Sequence, residues 1–184
     1  KNRETPFFLY IPYPLPHNPL HVSPKYMKNV SDSVKFLLDN EQGSINYIVR
    51  NELYPQAISE IDDSIGEIVN LLKALDLDEN TLLIFTTDNG PGSRFASAGP
   101  LRGRKGSTFE GGMRVPAIVW WPGTIPAGKT SDELLTTMDL LPTLAGLASA
   151  EIPSDRIIDG KTIWDILSGI ENAKSPHEKF FYFF

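Results

Sequence analysis

Cysteine is absent from all 184 residues. Disulfides, thiolate metal sites and a cysteine nucleophile are therefore excluded within them. The absence leaves the compartment open, since exported proteins without disulfides are common. Also missing is any apolar run approaching the roughly 20 residues that a membrane-spanning helix needs. Basic charge is in short supply: 17 Lys and Arg face 23 Asp and Glu, for a net charge of −6. That balance disfavours a nucleic-acid partner, because no face gathers enough cations to neutralise many phosphates. Internal repeats and low-complexity tracts are lacking too. What remains, 41% hydrophobic and 22% charged residues, is the balance of an ordinary globular chain. Its length suits one domain or a large part of a bigger one.

Neither end reads as a natural terminus. The chain starts Lys1-Asn2-Arg3 without an initiator methionine and passes almost at once into the apolar run Pro6 to Ile11. It finishes Phe180-Phe181-Tyr182-Phe183-Phe184. Such a run suits a strand awaiting neighbours better than a free tail. The expectation is a piece of a longer protein.

Strand and helix signals alternate along the chain. A buried strand is expected over Pro6 to Tyr13, followed by the loop from Pro14 to His21, stiffened by three prolines that fix φ. One or two helical turns fit Ser33 to Leu38, and an exposed loop fits Asp39 to Ser44. From Tyr54 to Leu75, Ile58, Ile61, Ile65, Ile68, Val69, Leu72 and Leu75 recur at three- and four-residue steps, which predicts a helix with one apolar stripe. Glu60, Asp62, Asp63 and Glu67 crowd its first part and Lys73 its last turn, matching the helix dipole. Thr81 to Thr87 and Val115 to Trp121 read as strands buried on both faces. A helix over Met138 to Ala148, carrying Pro142, and a short one over Ile163 to Leu167 ending at Gly169 complete the set. The pattern is that of an α/β protein with a mostly parallel sheet flanked by helices.

Chemistry concentrates where the strand from Thr81 to Thr87 stops at Asp88-Asn89-Gly90-Pro91. Asp, Asn, Gly and Pro end it with turn chemistry. An acid and an amide then stand at the carboxyl end of a strand, where ligands bind in open α/β sheets. Both are oxygen donors of the kind Ca²⁺ takes. The same letters also suit an Asn-Gly hairpin turn, but the small, polar, basic stretch from Ser93 to Ser107 offers no partner strand. Further on, Leu101 to Pro116 interleaves glycines with Arg102, Arg104, Lys105 and Arg114. Glycines allow close backbone approach and leave room for long basic side chains. A lysine there is a compact cation for an oxyanion, or simply part of a solvated surface loop. It is not a Walker loop, for that spacing is missing. Glu110 and Arg114 read as a structural ion pair. His17, directly after the first strand, is placed to hold an anion or protonate a departing oxygen, though a turn histidine is the plainer reading. His21 is its rival, and His177 sits in a polar connector without evident partners.

Four motifs in order, Pro16-His17-Asn18-Pro19-Leu20, Phe85 to Pro91, Leu101 to Pro116, and Met138-Asp139-Leu140-Leu141-Pro142-Thr143-Leu144, resemble the type I sulfatases, the arylsulfatase-like branch of the alkaline phosphatase superfamily. The resemblance covers nearly the whole chain. It implies an alkaline phosphatase-like α/β fold, incomplete at both ends, with residues 1–184 forming the middle-to-late part of a single catalytic domain. It further implies that Asp88 and Asn89 are two oxygen ligands of Ca²⁺, or Mg²⁺ in some members. Lys105 then contacts the sulfate group and leaving oxygen, and His17 binds sulfate and helps protonate the leaving group. His17 fits better than His21, because the family's His-x-Pro is here His17-Asn18-Pro19.

The departures matter as much. The family's nucleophile is a formylglycine made from Cys or Ser in a Cys/Ser-x-Pro-x-Arg motif, and no such motif exists here, nor the early Asp-Asp pair of the metal site. The expected function is hydrolysis of sulfate esters, aryl or carbohydrate, by the complete enzyme, while these residues alone are expected not to turn over. Two other readings stand beside it: a phosphonate or phosphodiester hydrolase of the same superfamily, and an inactive module that binds sulfated glycans. Family members often act outside the cytoplasm, in periplasmic, secreted or lysosomal settings.

Overall fold

A computed structural model describes residues 5–40, 47–92 and 96–181. The chain divides into two compact units: residues 1–78 with 88–115, and residues 79–87 with 116–184.

The first unit is built on one long helix. Helices α1 (Pro24–Met27) and α2 (Asp32–Asp39) both pack on α3 (Tyr47–Ala74). Val49, Leu53, Ala57 and Ile61 recur at four-residue steps on α3, and all are buried. The first three join Leu20, Val30 and Val34 in one apolar cluster. Burying each such side chain contributes roughly 1.5–3 kcal/mol for the larger ones. The helix therefore begins well before the expected Tyr54 and continues through Pro55. Pro55 lies within the helix rather than in its first turn, where proline is best tolerated. It is exposed, and the burial of Val49 and Leu53 holds the preceding turns helical despite the missing amide donor. Ile58, expected on the buried stripe, is 43% exposed.

A polar row on α3 grips the two short helices. Glu52 accepts from the Ser31 amide at 2.7 Å and the Ser31 hydroxyl at 2.9 Å, so the cap residue of α2 is itself held. Gln56 Oε1 accepts from Asn29 at 3.2 Å, and Glu60 accepts from the Ser23 amide at the start of α1 at 2.9 Å. Asp63 receives both Lys25 Nζ and the Tyr26 hydroxyl at 2.6 Å. Those two donors hold the Asp63 carboxyl below the usual carboxylate range, and hydrogen bonding to Asp63 raises Lys25 above its ordinary value. Two of the four acids read as a dipole match, Glu60 and Asp63, are therefore clamps.

The second unit holds strands β1 (Leu83–Thr86) and β2 (Ala117–Trp120). They pair antiparallel, with Leu83 opposite Trp120 and Thr86 opposite Ala117. This described pair runs antiparallel, within a fold whose sheet as a whole is expected to be mostly parallel. A parallel pair needs a crossover, usually helical and a dozen residues or more. Among its described residues the connecting stretch has only helix α4 (Glu110–Met113), four residues long. Burial is corrected: β1 is half-buried throughout, and Ile118 of β2 is 60% exposed. The segment from Pro6 to Tyr13 is not a buried strand either, since Phe8 and Tyr10 are 80% and 76% exposed and no described strand pairs with it. Val and Ile runs signal burial, but they cannot name the neighbour that supplies it.

Beyond β2, Trp121 Nε1 donates to the Glu79 carbonyl at 2.8 Å, and its ring meets Trp164 at 5.8 Å between centroids. A 3₁₀ turn (Thr137–Asp139) leads into α5 (Leu140–Leu147), with Thr136 and Asp139 forming a capping box. Helix α6 (Trp164–Leu167) ends at Gly169, whose φ of 75° stops it as expected. Residues 41–44 of the expected loop and the last three residues of the aromatic end lie outside the described residues.

Asp139 is the hub of this unit. Its side chain has no exposure and receives the Lys161 amide at 2.9 Å, the Thr136 amide at 2.9 Å and His177 Nε2 at 2.7 Å. Its carbonyl takes the Thr143 hydroxyl at 2.7 Å, while Thr143 Oγ1 accepts from the Ile163 amide at 3.0 Å. Burial pushes the Asp139 carboxyl up, but the donors from Lys161, His177 and Thr136 outweigh it and leave the pKa below its ordinary value. His177, read as partnerless, is thus a buried member of a hydrogen-bonded cluster. No sequence period links positions 139 and 177.

Candidate active site

Asp88 follows β1 by two residues, with an exposed side chain, and Asn89 is half-buried. Asn89 Nδ2 donates to Asp88 Oδ2, so the two side chains face each other on one turn. The next residues are tied to the basic loop by main-chain hydrogen bonds. Gly90 donates its amide to the Gly112 carbonyl at 2.9 Å, and Lys105 donates its amide to the Pro91 carbonyl at 3.0 Å. Within the loop, Gly111 donates to Arg102 O at 2.7 Å, Gly112 to Phe109 O at 2.8 Å, and Ser107 to Arg104 O at 2.9 Å.

These contacts explain the glycines. A Cβ on Gly90 would overlap the Gly111 carbonyl, one on Gly111 would overlap Gly103 O, and one on Gly112 would overlap Ser107 O. Buried backbone approaches backbone here. The glycines were read as room for long basic side chains or for a ligand, whereas Gly111 and Gly112 make room for neighbouring carbonyls. The Asp88-Asn89 turn and the Lys105 loop are brought together by this packing, the feature that sequence reasoning missed. The spacing Glu-Gly-Gly was a signal of it, because paired glycines after a turn mark a tight backbone crossing.

Lys105 itself is exposed. Arg102 lies with its guanidinium carbon 3.8 Å from the Phe109 ring centroid, a cation–π contact that braces the loop. Glu110 and Arg114 stand 3.8 Å apart across one helical turn, both well exposed. They make the ion pair expected, worth little in solvent.

His17 is exposed, and its described contacts are local. Its amide donates to Pro14 O at 3.0 Å, and Nδ1 lies 2.8 Å from Asn18 O. A carbonyl only accepts, so Nδ1 carries its proton and Nε2 is the ring atom left for a ligand. Leu20, buried in the apolar cluster, anchors the loop three residues on. His21 is also exposed.

The donor set suits a hard cation in part. Asp88 and Asn89 supply carboxylate and carbonyl oxygens, whereas calcium takes six to eight. Among the described residues no group of three or more His, Cys, Asp or Glu gathers to hold a metal. The pair therefore fits as a share of a metal site rather than a whole one.

The sulfatase family model matches residues 1–150. N-acetylgalactosamine-6-sulfatase of Sus scrofa is 40% identical over 183 residues, covering 97% of this chain and 31% of that protein. Steryl-sulfatase of Homo sapiens is 36% identical, covering 100% of this chain and 30% of that protein. Among solved structures, Ps i-CgsB in complex with k-i-k-neocarrahexaose superposes with a TM-score of 0.72 at 34% identity, covering 89% of this chain and 34% of that one. The chain belongs to the sulfatase family, and its fold is part of an alkaline phosphatase-like α/β domain. It spans about a third of the length of the curated relatives it matches. The family generally uses a metal and a formylglycine. No described helix is long and apolar enough to cross a membrane.

Proposed function

We propose that the complete protein is a sulfuric ester hydrolase, and that both units belong to one catalytic domain of which residues 1–184 are a part. The main-chain knit between Pro91 and Lys105 carries the reading, since it sets a lysine beside a turn bearing two oxygen donors. Asp88 and Asn89 hold calcium (or magnesium) through their side-chain oxygens. When bound, the metal supplies positive charge against the sulfuryl oxygens, and formylglycine, from outside this chain, supplies the attacking hydroxyl.

The chain's own residues do the rest. Lys105 presents an ammonium to a sulfuryl oxygen and to the oxygen that departs, where negative charge grows in the transition state. In its doubly protonated form His17 offers Nε2–H to the same anion and passes that proton to the leaving oxygen. One relative is named for a sulfated amino sugar and another as an arylsulfatase, which supports a sulfated carbohydrate or an aryl sulfate as the substrate class. An extracytoplasmic setting, periplasmic, secreted or lysosomal, goes with it. A phosphonate monoester hydrolase shares the fold at 23% identity and a TM-score of 0.56, which supports no more than the fold.

The test is elemental analysis and aryl sulfate turnover of the full-length protein and its Asp88→Ala variant. Loss of about one equivalent of calcium together with turnover is expected, because a hard-cation site loses a charged ligand. Unchanged calcium with unchanged turnover removes Asp88 from the site.

A further inference from the structure

We infer that Gly90, Gly111 and Gly112 are positioning residues that lock the cation-binding turn and the anion-binding lysine loop into one backbone element, so that metal binding at Asp88 and Asn89 orders the main chain around Lys105. The inference rests on the metal reading above. Two separate main-chain bonds cross between the segments, Gly90 N to Gly112 O at 2.9 Å and Lys105 N to Pro91 O at 3.0 Å. They flank the two ligand positions on the carboxyl side and hold Lys105 at its own amide. Gly111 then fastens the far arm of the loop to Arg102 at 2.7 Å. None of these contacts uses a side chain, so the coupling passes through backbone that only glycine permits. A Cβ on Gly111 would run into the main chain of Arg102 and Gly103, neither of which is the movable end of a side chain. The chemical consequence is a site whose cation and whose ammonium are placed by one shared geometry. Binding free energy spent ordering the turn is thereby also spent ordering the loop, and the linkage is reciprocal.

Hydrogen–deuterium exchange of the full-length protein with and without calcium chloride tests this directly. Calcium is expected to slow exchange at residues 88–90 and also at 105, 111 and 112, more than a dozen residues further along the chain. Protection confined to residues 88–90 overturns the coupling while leaving the metal reading intact. Absence of protection at 88–90 overturns the metal reading and the coupling with it. The Gly111→Ala variant gives a second arm, with circular dichroism to confirm folding and calorimetric titration with calcium as the readout. Weakening of calcium affinity by about tenfold is expected, whereas Lys105→Ala, which keeps the backbone intact, does not weaken it. A folded Gly111→Ala protein with native calcium affinity overturns the inference. Should that variant fail to fold, the exchange result on the native protein decides the matter by itself.

Discussion

His177 Nε2 lies 2.7 Å from Asp139 Oδ1, with the two side chains only 6% and 0% exposed. The contact joins positions 38 residues apart and closes the last strut of a cluster that also holds Thr136, Thr143 and Lys161.

Removing either partner leaves the other buried without its hydrogen bond. Asp139→Ala should cost on the order of 3–5 kcal/mol, the range for breaking a buried pair. His177→Ala should cost less, since Asp139 keeps its two amide donors. The double variant should be less destabilised than the sum of the two, because both lose the same contact. Urea unfolding of all four proteins measures this, and strictly additive losses would show that the pair does not interact.

Acid should loosen the same cluster. The Asp139 carboxyl titrates below its ordinary value in the folded protein, so the unfolded chain takes up its proton first on acidification. The contribution is therefore complete above the ordinary carboxylate range, about pH 4, and is lost as pH falls below it. Asp63 has the same sign, held low by Lys25 and Tyr26. Urea midpoints measured from neutral pH downward should fall below about pH 4, and less steeply in Asp139→Asn. Equal slopes in both proteins would contradict this.

At the active site, Lys105→Ala in the full-length protein should lower kcat by roughly 10²- to 10³-fold, the usual loss when one group aimed at developing charge is removed. His17→Ala should slow esters with poor leaving groups more than those with good ones, since a good leaving oxygen needs no proton. Steady-state rates with a series of aryl sulfates separate the two roles. Thermal unfolding should be unaltered in both variants, as both side chains are exposed.

Gly66 sits within α3 with open space where a Cβ would lie. Gly66→Ala should stabilise the protein by roughly 0.5–1 kcal/mol through helix propensity alone. A rise in the urea midpoint with an unchanged slope is the expected readout, and a fall would mean the position is not free.

The helices were legible because their signals are local. Gly169 closed α6 where expected, and the three- and four-residue recurrence of Ile61, Ile65, Ile68 and Leu72 marked the later half of α3. Its first seven residues, 47–53, lay outside the expected helix, and the burial of Val49 and Leu53 holds them helical. The strands were half legible. Their residues were found, but strand direction and cover depend on neighbours that Ile118 and Phe8 do not encode. At the site, Asp88, Asn89, Lys105 and His17 were readable as chemistry with no account of what brings any two of them together. The crossing of Gly90 on Gly112 does so for two of the segments, and a glycine's role there lies in the partner's carbonyl, far along the chain.

The polar row on α3 has a mechanical consequence. Glu52, Gln56 and Glu60 clasp three points of the segment carrying the imidazole loop and the first two helices, and all three do so from a single rigid rod. Their phase is fixed by whole turns. One residue inserted between Gln56 and Glu60 would rotate everything beyond it by about 100°, swinging Glu60 and Asp63 off their clasps together while Glu52 kept its own. Point changes along the rod can be absorbed one at a time, but a change of length cannot.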